Sequence, residues 1–159
     1  MNQEITLDVA GARVTLPAAA LTDLWLEKLR GTTGTLVGYP KIGFAFDSVA
    51  GTYAGLVAAD DKFASDYHLV VLHGDREKLT WEEAKAWAAS VGGELPKRKE
   101  QAVMFGNVPQ LFERTYYWSG EQYAGYDEYA WIQGFTYGTQ DTTLKGYRCR
   151  ARAVRRFPI

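Results

Sequence analysis

Cysteine occurs once in the 159 residues, as Cys149. The chain can therefore form no intramolecular disulfide and no cysteine-based zinc cluster. Histidine occurs twice, as His68 and His73, at a spacing that matches no helical or loop metal motif. No apolar run reaches the roughly eighteen residues of a membrane span. The opening stretch MNQEITLDVAGARV lacks a basic segment followed by an apolar one, so no signal peptide is expected and the chain is expected to be made in the cytosol. A net charge of −1 gives no global field that would favour nucleic acid or a membrane surface.

Aromatic residues are plentiful and concentrated in the last third. Ten of the twenty-six residues from Phe112 to Tyr137 are aromatic, and seven of the ten tyrosines lie between Tyr116 and Tyr147. They alternate with Gly, Ser, Thr, Asp and Gln. Tyrosine supplies a large amphipathic contact area at low entropic cost, and small polar neighbours supply adaptable hydrogen bonds. This is the composition of a recognition surface, weighed against a β-rich core with tyrosines at its edges.

The pattern along the chain predicts an α+β arrangement, with two central helices set among antiparallel strands. Ile5, Leu7 and Val9, then Val14 and Leu16, alternate around Gly11 as in a hairpin. Ala18 to Arg30 spaces Leu21, Leu24, Trp25 and Leu29 on one helical face. GTTG at 31–34 reads as a turn or hinge, so residues 1–34 are expected either to form a separate attachment or self-association segment through 5–30 or to pack on the main domain, residues 35–159. Short strands are expected at Thr35 to Tyr39, Ile42 to Phe46 and Tyr53 to Ala58, and a buried central strand at His68 to Leu72. Thr80-Trp81-Glu82-Glu83 is a capping box that opens a helix with Trp81, Ala84, Ala88 and Val91 on one stripe, ending at Gly92-Gly93. A second helix is expected from about Arg98 to Gly106, with Ala102, Val103 and Phe105 as its apolar positions. Strands follow at Tyr116 to Ser119, Tyr129 to Phe135 and Arg148 to Val154. In the second of these, alternation assigns Trp131 and Phe135 to the core and turns Ile132 and Gly134 the other way.

The ordered series HLVVLHGD, LTWEEAKAWAASVGGELPKRKEQAVMF, YYWSGEQ, AWIQGF, G-x-Q and RARAVRRF resembles a phage and prophage family. Its members carry the C-terminal domain first named from a Legionella collagen-like protein. The resemblance covers roughly Tyr53 to Phe157 and implies a C-type-lectin-like fold related to the formylglycine-generating enzymes. The terminal block is similar to the variable proteins of diversity-generating retroelements, in which a fixed scaffold presents a diversified face. Trp118, Ser119, Ala130, Trp131, Phe135, Gly138, Gln140, Lys145, Arg150, Arg152, Val154 and Arg155 match the framework. The resemblance implies ligand binding by Tyr123, Tyr126, Asp127, Tyr129, Ile132, Thr136, Tyr137, Thr139, Asp141, Thr142 and Tyr147, and places Gly134, Thr143 and Cys149 among the variable positions too.

No catalytic motif, metal set or cofactor motif stands out. Cys149 between Arg148 and Arg150 has no histidine nearby in sequence, and a single cysteine does not reproduce the formylglycine-type pattern. The lectin calcium triplets are missing, and Asp60-Asp61 or Asp127-Glu128 reads better as solvated loop than as a calcium site. The arginines of Arg148 to Arg156 are expected to pair with Glu121, Asp127 or Glu128 or to stack on tryptophans, rather than to bind nucleic acid. Lys97-Arg98-Lys99 reads as a solvated surface. The expected function is non-catalytic recognition of a protein or cell-surface macromolecule, such as a host receptor, by a protein free in the cytosol or incorporated in a virion. The alternative is an intracellular phage protein that inhibits a host factor such as a defence system.

Overall fold

The computed structural model describes the backbone of Glu4–Val9 and Ala12–Pro17, and residues 40–46 and 49–159 in full. The chain forms two compact units, Met1–Tyr39 and Pro40–Ile159. In the first, β1 (Glu4–Val9) pairs antiparallel with β2 (Ala12–Pro17), in register from Glu4 with Pro17 to Val9 with Ala12. This is the hairpin that the alternation predicts. The helix expected from Ala18 to Arg30 and the strand expected from Thr35 to Tyr39 lie outside the described residues. The division between units falls five residues after the GTTG hinge at 31–34.

The second unit is α+β. Its elements run β3 (Gly51–Val57), β4 (Tyr67–Leu72), β5 (Arg76–Leu79), α1 (Trp81–Ser90), α2 (Arg98–Asn107), a short 3-10 turn at Pro109–Leu111, β6 (Tyr116–Gln122), β7 (Tyr129–Gly134), β8 (Gln140–Leu144), β9 (Cys149–Ala151) and β10 (Val154–Pro158). One sheet has the order β10-β4-β3 and the other β5-β9-β6-β7-β8. The β-branched run of β4 is central in its sheet, as a strand buried on both faces should be. Among the described residues no helix is long and apolar enough to cross a membrane.

Local signals account for α1. Thr80 accepts the Glu83 N–H, and the Glu83 carboxylate takes the Thr80 N–H at 2.8 Å, which closes the capping box. Trp81, Ala84 and Ala88 are buried, but Val91 is exposed because the helix has already ended at Ser90 and Gly92 takes a positive φ of 75°. α2 departs further from expectation. Ala102 is exposed, Val103 and Phe105 are half-buried, and the fully buried positions are Glu100, Gln101 and Met104. Two polar side chains thus point inward: Glu100 is met by Arg156 and Tyr67, and Gln101 donates through Nε2 to the Tyr117 and Trp118 carbonyls at 3.2 Å each, while its Oε1 is buried without a hydrogen-bond partner.

Three strand expectations are also corrected. Ile42 to Phe46 is a turn with a single bridge, Ala45 to Thr52, rather than a strand. Arg148 to Val154 is not one strand, because the chain crosses between sheets at Arg152 and Ala153, where the Ala153 carbonyl accepts the Leu72 N–H. β9 also runs parallel to β6 through the Tyr117 and Arg150 pair, so the larger sheet is mixed. In β7 the facing is the reverse of that expected. Ala130 and Ile132 point to the core, where Ile132 sits opposite Trp118, and Trp131 is only half-buried. Phe135 is buried because it follows the strand, in a turn closed by the Gly138 N–H and the Gly134 carbonyl, so strand parity does not govern it.

Candidate aromatic recognition face

β7 and β8 present one face to the core and the other to a cluster of rings. Directly paired residues on adjacent strands share a face. Tyr129 with Leu144 and Trp131 with Thr142 therefore share the side away from the core, and Gln133 with Gln140 lies on the same side but is covered, Gln133 being buried. Above that side, the β6–β7 connection folds back. The Tyr123 N–H donates to the Tyr129 carbonyl at 3.0 Å, and the Tyr129 N–H to the Tyr126 carbonyl at 3.1 Å. Gly125 permits this fold, since a Cβ there would stand 2.6 Å from the Tyr123 ring. The rings then meet in series. Trp131 and Tyr123 are edge to face at 5.5 Å, Tyr123 and Tyr126 lie 6.2 Å apart, and Tyr126 and Tyr129 lie 6.0 Å apart.

The inner end of the series is fixed by α2. The Arg98 guanidinium lies over the Trp131 ring at 3.4 Å, and its Nε donates to Gln140 Oε1 at 3.2 Å. Gln140 Nε2 donates in turn to the Arg98 carbonyl (2.7 Å) and to Gln133 Oε1 (2.8 Å). The rings are thus backed by a hydrogen-bonded scaffold, which lowers the ordering cost of binding.

The eleven residues marked by the sequence divide among several places. Tyr126, at 65% exposure, and Asp127 are exposed beside half-buried Tyr123 and Tyr129, with Thr142 across the hairpin. Tyr147 (65% exposed) follows β8 at the same end, where the Lys145 N–H bonds the Glu128 carbonyl. Thr136, Tyr137 and Thr139 occupy the opposite end, in the β7–β8 turn, with Tyr137 81% exposed. Asp141 pairs with Ile132 and so belongs to the core-side face, exposed only because β8 is an edge strand. Ile132 is 6% exposed within the core and cannot contact a ligand. Arg98, Trp131 and Gln140 were missed as parts of the face. The available signal was a run of positive charge at a helix N-terminus, which is unfavourable unless the side chains have partners elsewhere.

Lys97 and Lys99 have such a partner. Both reach Asp60, at 2.5 and 2.8 Å, and their hydrogen bonds hold its carboxyl well below the usual carboxylate range. The first α2 amide, Arg98 N–H, donates to Glu121 at 2.5 Å. These groups, with Glu94, Leu95 and Arg156, border an open cleft of about 1160 Å³ between the helices and the loop at 60–63. Its charges are largely spent on one another.

The arginines after β8 do pair, but not with the acids expected. Arg150 holds Asp75 through Nε and Nη2 and Glu77 through Nη1. Arg148 meets Glu83, and Arg156 meets Glu94 and Glu100. Glu121, Asp127 and Glu128 take no part in these pairs. The stacking partner of Arg152 is Phe112, not a tryptophan.

Cys149 is buried in the core and its thiol is pushed up to about 11 by burial, the opposite of an activated thiolate. It should resist alkylation near neutral pH until the protein unfolds. Labelling followed by mass spectrometry across a urea titration should track the unfolding curve, and rapid labelling of the native protein would contradict the packing. Among the described residues no three His, Cys, Asp or Glu side chains gather as around a metal ion. Compared with known proteins, the chain matches no protein-family model and no curated protein, so its function must be argued from its own geometry.

Proposed function

We propose that this chain is a non-catalytic recognition protein that binds a macromolecule through the ring series Tyr123, Tyr126, Tyr129 and Trp131. The observation that carries the reading is the exposure of Tyr126 at the β6–β7 turn and of Tyr147 just after β8, at one end of strands whose other side is core. Exposed rings on a braced sheet give contact area without a folding role, and an open array suits a broad partner better than a small molecule. The α+β architecture, with two helices beside mostly antiparallel strands, supports a C-type-lectin-like scaffold. Together with the motif resemblance it supports a phage or prophage origin, with a host-surface receptor as the target.

Capture with immobilised protein tests this. Wild type should retain a component of host-cell surface extract. Tyr126→Ala should lose at least about tenfold in affinity at an unchanged melting temperature, because the ring is mostly outside the fold. Retention from cytosolic lysate alone would move the reading to an intracellular inhibitor. Equal capture by Tyr126→Ala would remove the face as the site.

A further inference from the structure

Seven carboxylates elsewhere in the second unit are answered by the chain's own cations, Glu82 by Lys85 among them, whereas Asp61, Asp66, Glu113, Glu121 and Asp141 have no ion-pair partner among the described residues. Asp60 has Lys97 and Lys99, Asp75 and Glu77 have Arg150, Glu83 has Arg148, and Glu94 and Glu100 have Arg156. The aromatic face sets two adjacent carboxylates without ion pairs beside exposed rings. Asp127 and Glu128 are exposed at the tip of the turn between Tyr126 and Tyr129, and among the described residues neither has an ion-pair partner. Asp127 Oδ1 accepts only the neutral Gln122 amide, at 2.9 Å. The two bases nearby are committed. Lys145 donates to Gln122 Oε1 at 2.7 Å and stands 4.6 Å over Trp81, and Arg98 lies on Trp131.

Cations of the chain cover Trp81, Trp131, Tyr67, Phe63, Phe112 and Phe157. Among the described residues none covers Tyr126 or Tyr129. Their centroids are 6.0 Å apart, so one cation at the turn can lie within about 6 Å of both ring centres, the range of a cation–π contact. Ring faces and carboxylates both favour positive charge, and both would repel an acidic surface.

We propose that the turn from Tyr126 to Tyr129 receives guanidinium or ammonium groups from a basic protein segment, and that this positive charge defines the partner. The inference rests on the recognition reading above and names its partner class. Charge complementarity at exposed positions acts mainly on encounter and specificity, with the rings supplying the contact area.

A random peptide library displayed on yeast, selected on the wild-type chain and counter-selected on Tyr126→Ala, tests both levels. The expected result is face-dependent peptides enriched in Arg and Lys over the starting library. A synthetic copy of one should bind at least about tenfold more weakly to Tyr126→Ala. It should also bind several-fold more weakly to the double variant Asp127→Asn, Glu128→Gln, and lose affinity as salt is raised. Both acids are exposed, so the double variant should keep its melting temperature, which is checked in parallel. Face-dependent peptides that are neutral or acidic would overturn this inference and leave the recognition reading standing. Basic peptides held equally by Tyr126→Ala would place cation binding elsewhere and overturn it. A library yielding no face-dependent peptide would overturn both.

Discussion

Replacing Arg156 by leucine should destabilise the second unit by about 3–5 kcal/mol near neutral pH, because it strands a buried carboxylate. Glu100 in α2 has no exposed surface. Arg156 in β10 grips it with both forks, Nε to Oε1 at 2.6 Å and Nη2 to Oε2 at 2.8 Å. The Tyr67 hydroxyl and the Lys97 N–H complete the shell, each at 2.6 Å. Burial by itself would push the Glu100 carboxyl up, but the hydrogen bonds and charge of Arg156 outweigh it and the net direction is down. The Tyr67 phenol is pushed up, first by burial and then by its bond to Glu100.

The pH dependence follows from those directions. A carboxyl that binds its proton more weakly in the folded state adds stability above its ordinary value of 4.5, and that stability fades as pH falls through the folded-state value. Without Arg156, only the Tyr67 and Lys97 hydrogen bonds still oppose burial, the largest single cause, and Glu100 is expected to bind its proton more tightly when folded than unfolded. Acidification then relieves the variant while it weakens the wild type. Urea unfolding at about pH 7 and about pH 4 should therefore show the gap between them shrinking. An equal gap at both values would mean that lost packing, not a stranded charge, sets the cost. Glu100→Gln removes the charge while keeping the shape, and its cost should vary with pH in the wild-type sense.

That network also marks where sequence reading stops. The capping box at Thr80 and Glu83 was legible because both partners lie within one turn. The β1–β2 hairpin and the central strand β4 were legible because alternation and β-branching are local. Glu100 was not, since its partners stand 33 and 56 residues away and nothing in KRKEQ distinguishes an inward glutamate from a solvated one. The exposure of Tyr126, Tyr137 and Tyr147 agrees with the expectation from composition, yet composition could not separate them from Tyr117, which is 1% exposed beneath Phe112. Strand parity was readable in β7, but which parity faces inward depends on what covers the sheet. The larger ring was assigned to the core, whereas Ala130 and Ile132 take the core side, against Trp118, and Trp131 lies on the other side under Arg98.

Trp118 and Trp131 should consequently behave differently on truncation. Trp118→Ala removes a side chain with no exposed surface from the core it forms with Trp81, Ala84, Ala130 and Ile132, and leaves the Leu79 carbonyl without the indole N–H that it accepts at 2.8 Å. A cost of about 3–5 kcal/mol is expected, enough to unfold a domain of ordinary stability. Trp131→Ala removes a half-buried ring whose partners are the Arg98 guanidinium and the edge of Tyr123. Its loss should cost about 1–2 kcal/mol, in the range of a cation–π contact with partial burial. The domain should stay folded, but Tyr123 would lose its support and Arg98 its seat, so binding through Tyr126 and Tyr129 should weaken more than stability does. Chemical denaturation of both variants, with peptide affinity measured on the folded one, separates the cases. If Trp131→Ala unfolds as readily as Trp118→Ala, the ring series is part of the core and the face must be drawn smaller. If it stays folded and loses affinity, the indole is the fixed floor on which the tyrosines are displayed.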